Sequence, residues 1–162
     1  MGKFVLGVGN ILFRDEGIGC HVAHALDTRL VGILPDVKII DVGTCINVLP
    51  PFGDVDKLVI VDAVKGGGTP GQIYRFHLAD INTEQKPVLS LHDMSLVDSL
   101  KSMQLCHPHK IWIDDAIIIG VEPKEINWGL ELSPDLQEKM PQIIDVILSE
   151  LDNSNPKGEA KC

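Results

Sequence analysis

Short apolar runs alternate with amphipathic stretches along most of this chain. Residues 3–8 form an apolar run closed by glycine and read as a strand buried on both faces. From Gly17, the residues Ile18, Val22, Ala25, Leu26 and Leu30 recur at helical spacing. Asp15 and Glu16 stand just before them, where acidic side chains suit a helix N-terminal dipole. Residues 37–42 are a second strand, stopped by Gly43-Thr44, and 45–49 predict one or two helical turns ended by Pro50-Pro51. Residues 57–61 are a third buried strand with Asp62 at its carboxyl end. A turn-rich connector over 65–71 follows, then an alternating edge or antiparallel strand over 72–77. Met94, Val97, Leu100 and Lys101 mark a helix over 93–103, and 116–121 are another core strand. Ser133-Pro134 places a capping hydroxyl before a first-turn proline. Leu136, Met140, Ile143, Ile144, Ile147 and Leu151 then make the apolar stripe of a last helix.

Strands alternating with helices predict a three-layer α/β/α single domain with a twisted, mostly parallel sheet flanked by helices. The domain is expected over residues 1–151, and 152–162 are expected to be a flexible polar tail. No internal repeat or domain linker interrupts it, and 162 residues suit one domain. A net charge of −9 argues against a general nucleic-acid binder, which needs a basic footprint. No apolar run approaches the roughly 18 residues of a membrane span. The chain enters a strand pattern at once, without an export signal, so a cytoplasmic location is expected. Cys20, Cys45, Cys106 and Cys162 form no C-x-x-C pair and read as reduced thiols, most of them buried.

Residues 7–19, GVGNILFRDEGIG, form the turn between the first strand and the first helix. Open α/β sheets hold ligands beyond the carboxyl ends of their strands, and this turn sits there. A dinucleotide fingerprint would need its third glycine at Leu12, and Asp15 and Glu16 would face the phosphates. Both facts oppose that reading, and no P-loop motif occurs. Glu16 after strand one, Asp62 ending strand three and His92 before a helix can converge on one rim. Two carboxylates and an imidazole suit a divalent transition metal such as nickel or zinc. Spacing alone equally allows Glu16 and Asp62 to be helix and turn caps and His92 a hydrogen-bonded loop histidine. Cys106-His107-Pro108-His109 reads as a surface connector, and His21 and His24 have no carboxylate or cysteine placed to complete a site with them. There is no G-x-S-x-G nucleophile elbow and no cysteine-protease signature around Cys20 or Cys45.

Five segments in order resemble the hydrogenase maturation endopeptidases: GVGNILFRDEGIG, DVGT at 41–44, IVDAV at 60–64, SLHDMSL at 90–96 and IGVEPKEINWGLELSP at 119–134. The resemblance runs from about residue 3 to 150 and implies a twisted sheet between helices. It implies an endopeptidase that removes a C-terminal extension from the nickel–iron hydrogenase large-subunit precursor after nickel insertion. Its metal-contacting and catalytic residues would be Glu16, Asp62 and His92, with nickel carried by the precursor rather than permanently bound. A monomer is expected. Many relatives carry Asp-Gly-Gly-Thr where this chain has Asp41-Val42-Gly43-Thr44, a loop thought to touch the substrate. Two other classes use the same residues: a self-sufficient zinc metallohydrolase, and a nickel chaperone that binds the large subunit without cutting it.

Overall fold

The computed structural model describes residues 2–30, 32–44, 55–82 and 116–152. Five strands form one sheet: β1 (Gly2–Val8), β2 (Val37–Gly43), β3 (Val55–Ala63), β4 (Ile73–His77) and β5 (Ile117–Val121). Their order is β2-β1-β3-β5-β4. All pairings are parallel except that of β4 with β5, so the alternating stretch is both an edge and an antiparallel strand, as its pattern predicts. Helix α1 (Ile18–Leu30) crosses from β1 to β2, and helix α2 (Pro134–Asp152) follows β5. The expected elements over 45–49 and 93–103, and the tail from residue 153 onward, lie outside the described residues. Among those described, no helix is long and apolar enough to cross a membrane.

The central strands read as unbroken apolar runs because both faces of the sheet are covered. Val5, Val59, Val61, Ile117 and Ile119 face α1 and α2 and join Ile18, Val22, Leu26, Ile143 and Ile147 in one buried cluster. On the other face Phe4, Leu6, Val8, Leu58, Ile60 and Ile118 are buried as well. Alternation along β1 thus divides its side chains between two cores. Gly7 breaks the alternation for a steric reason. A methyl group there would lie 2.2 Å from the Gly19 carbonyl oxygen, and one on Gly19 would lie 2.2 Å from that of Val8 and 2.3 Å from that of Val61. The absence of both side chains lets the start of α1 rest directly on the ends of β1 and β3.

The far end of α2 is fixed by charge. Glu150 is buried and takes two hydrogen bonds from the Arg75 guanidinium of β4, one at 3.2 Å, while Lys57 of β3 lies 3.5 Å away. The Arg75 hydrogen bonds outweigh burial and hold the Glu150 carboxyl below its ordinary value of 4.5. A depressed folded-state pKa contributes stability that is present above the unfolded value and lost as pH falls through the folded one. Glu150→Gln is therefore expected to cost about 1–3 kcal/mol at neutral pH. The gap to wild type should close as the solution is acidified below pH 4.5. Urea midpoints of both proteins between neutral and acidic pH check this, and parallel curves would refute it.

Candidate active site

The carboxyl ends of β1, β2, β3 and β5 form one rim, and the turn from Gly9 to Gly17 folds over it. Asp62 is the penultimate residue of β3, beside Gly120 of β5, and is buried. Its Oδ1 accepts a hydrogen bond from the Ala63 amide at 2.7 Å. Gly9, at φ 138°, lies close to the Glu16 backbone and to the Asp62 carboxylate. A methyl group there would lie 2.0 Å from the Glu16 carbonyl oxygen and 3.5 Å from Asp62 Oδ1. Any side chain at this position would collide with the Glu16 carbonyl, and the φ value itself favours glycine. The DVGT loop closes the same corner: Gly43 accepts the Gly9 amide at 3.1 Å, while its own amide binds Asp41 Oδ1 at 3.0 Å. Val42 packs half-buried against the second core.

The two neighbouring acids of the turn have opposite surroundings. A short 3-10 turn, Arg14–Gly17, precedes α1, which begins at Ile18. Asp15 stands in the first turn of this helical segment, as its position predicts, but its carboxylate is engaged by residues far along the chain. Its buried carboxylate accepts the amides of Lys124 and Glu125 at 2.9 Å, the Ser133 amide at 2.7 Å and the Ser133 hydroxyl at 2.7 Å. Ser133 keeps its place at the start of α2, with its carbonyl accepting the Leu136 and Gln137 amides, but its hydroxyl donates to Asp15. Glu16, only half-buried, remains beside the rim. Arg14, at φ 46°, adopts a conformation that costs a non-glycine residue energy. The loop offsets that cost, since the Arg14 amide binds the Gly129 carbonyl at 2.9 Å and its guanidinium pairs with Glu125 at 2.9 Å.

Two further features escape a reading by spacing. The glycine connector after β3 wraps a carboxylate from the chain itself. Glu122 Oε2 accepts the Gly66 amide and the Tyr74 hydroxyl, both at 2.7 Å. Burial pushes the Glu122 carboxyl up, but the Tyr74 hydroxyl and the amides of Gly66, Gly68 and Gly67 outweigh it and leave its pKa lowered. Beside this loop lies a cavity of about 340 Å³ lined by Lys65, Gly67, Glu122, Pro123, Lys124 and Ile126. On α1, His24 pairs through Nε2 with Asp41 Oδ2 at 2.7 Å, so a carboxylate does reach this histidine from β2. Among the described residues no three His, Cys, Asp or Glu gather as a metal site. His92 lies outside the described residues, as do Cys106 and His107-Pro108-His109.

Cys20 is the one cysteine among the described residues, and it is a free, buried thiol. Its Sγ donates to the Gly9 carbonyl at 3.4 Å. Burial first, then a hydrogen bond and the negative charge of Asp41, push the thiol up to about 12. It stays protonated at neutral pH and is a poor nucleophile.

The mostly parallel sheet thus carries Asp62 and Glu16 at its carboxyl-end rim, where open α/β sheets take ligands. The family model for hydrogenase maturation proteases matches residues 20–150. Hydrogenase 2 maturation protease of Escherichia coli K12 is 31% identical over 95% of this chain and 93% of its own. Coenzyme F420 hydrogenase subunit delta of Methanothermobacter thermautotrophicus is 32% identical over 91% and 92%. The solved hydrogenase maturating endopeptidase HybD of E. coli superposes with a TM-score of 0.78 at 25% identity, covering 96% of this chain and 94% of that one. The nickel–iron hydrogenase maturation protease HybD of Thermococcus kodakarensis gives 0.72 at 25% identity, over 92% and 98%. The chain belongs to the hydrogenase maturation protease family, a family of endopeptidases.

Proposed function

We propose that this endopeptidase removes the C-terminal extension of a nickel–iron hydrogenase large-subunit precursor after nickel insertion, reading the nickel with Glu16, Asp62 and His92. The observation that carries the reading is the approach of both the Glu16 backbone and the Asp62 carboxylate to Gly9, at the rim where open α/β sheets take ligands. Hard carboxylate oxygens and an imidazole are suitable donors for a divalent transition metal. Nickel arrives as part of the substrate, held by the precursor's own cysteines, and these side chains complete its coordination. The loaded metal then marks the precursor as ready. It also supplies Lewis acidity for the scissile carbonyl or for an attacking water. Water is the fitting nucleophile, because the nearby Cys20 thiol is held protonated. The reaction takes place in the cytoplasm, with the protease acting as a monomer.

Incubating the protein with nickel-free and with nickel-loaded precursor tests the reading by intact-mass spectrometry. A fixed C-terminal mass loss is expected only from the loaded form, and equal rates on both would overturn nickel recognition. The lost mass also identifies the bond that is cut.

A further inference from the structure

Residues 125–130 run along the surface beside the rim, and their large apolar side chains face solvent. Trp128 is 74% exposed, Leu130 61% and Ile126 39%, and Leu12 of the Glu16 turn is 47% exposed. Isolated exposed apolar residues are ordinary, whereas a contiguous group marks a binding surface. Leu12 is brought beside Trp128 and Leu130 through the backbone, and Ile126 stands two residues before Trp128. Gly129 donates to the Leu12 carbonyl at 2.9 Å, Gly129 accepts from Arg14, and Phe13 pairs with Gly129 in a parallel bridge. The Phe13 and Trp128 rings pack with centroids 4.6 Å apart. Ile126 also lines the cavity by Lys65 and Lys124, so the patch reaches its mouth.

The loop that carries the patch is firmly anchored from beneath. Asp15 holds the amides of Lys124, Glu125 and Ser133, and Arg14 pairs with Glu125. A surface held by buried hydrogen bonds at its base, with tryptophan and leucine outward, is preorganised for binding. Its position selects the occupant. Leu12 and Phe13 belong to the same turn as Glu16, so whatever covers the patch also lies against the candidate active site. A second copy docked here would bring two such rims together and block access for a polypeptide. Anionic membranes and nucleic acids are disfavoured by the net charge of −9.

We infer that Leu12, Ile126, Trp128 and Leu130 form the docking surface for the folded body of the precursor, seating an apolar face of that protein next to its C-terminal extension. The inference rests on the precursor-processing reading for the partner's identity, but its test separates the two. Trp128→Glu and Leu130→Glu change exposed side chains and should leave the melting temperature close to wild type. With purified nickel-loaded precursor as substrate, each variant should raise KM about tenfold or more while kcat stays within about twofold. Trp128→Phe should restore most of the affinity. Binding of the same precursor, measured by interferometry, should weaken in parallel. Wild-type KM and binding in both glutamate variants would overturn the docking surface, as would a wild-type dimer that Trp128→Glu splits with KM unchanged. If wild type binds the precursor through Trp128 without cutting it, the processing reading fails and the surface stands. If wild type neither binds nor cuts it, both fail.

Discussion

Replacing Asp62 by asparagine is expected to reduce precursor processing by about three orders of magnitude while the protein melts within about 3 °C of wild type. The side chain ends β3 at the rim and uses Oδ1 to accept the Ala63 amide at 2.7 Å. Asparagine keeps that acceptor and the shape of the residue. What it removes is the negative charge presented to a divalent cation, and a neutral amide is a much weaker metal ligand than a carboxylate. The loss should fall on the rate with loaded precursor, because asparagine leaves the Ala63 amide its acceptor. Intact-mass spectrometry of the large subunit, with a thermal melt of the variant, decides the matter. Normal maturation by a stable Asp62→Asn protein would remove Asp62 from the site.

The second large effect concerns stability. Asp15→Ala is expected to cost about 3–5 kcal/mol, because one carboxylate satisfies three amides and a hydroxyl at a buried position. Each buried donor left without an acceptor costs about 1–3 kcal/mol, and water entering the gap recovers part of the total. For a domain of this size the melting temperature should fall by about 10 °C. Asp15→Asn retains one acceptor oxygen and should lose less. Calorimetry of the two variants measures the difference, and an alanine variant melting with wild type would show that the loop does not depend on this anchor.

Strands β1, β3 and β5 are legible in the sequence because parallel strands covered on both faces leave short unbroken apolar runs. Helices α1 and α2 are legible because each buries a single stripe. Asp62 is legible for a related reason, since a carboxylate that ends a buried run has few places to be except the rim. The fates of Asp15 and Glu16 are not legible. They are adjacent acids in one polar cluster, and what separates them is a set of backbone amides that no side-chain pattern announces. The same holds for Glu122, whose partners are amides of a glycine connector, and for His24, which meets Asp41 only once β2 lies beside α1. The exposed residues at 126–130 fall in a segment that carries the family resemblance, yet only their exposure indicates a role. His92 lies outside the described residues, so the third predicted ligand rests on its place in the sequence and on the resemblance.

The Asp15 anchor also bears on the order in which the molecule is completed. Its partners lie 109 to 118 positions further along the chain. Contacts of such long range form late, because a large loop must close before they are rewarded. During synthesis β1 and α1 emerge early, but the Asp15 carboxylate in the turn between them has none of these partners until residues 124–133 have left the ribosome. The part of the protein that must be most accurately placed is therefore begun first and fixed last. A chain stopped short of Lys124 would carry Glu16 on a turn without its Asp15 anchor.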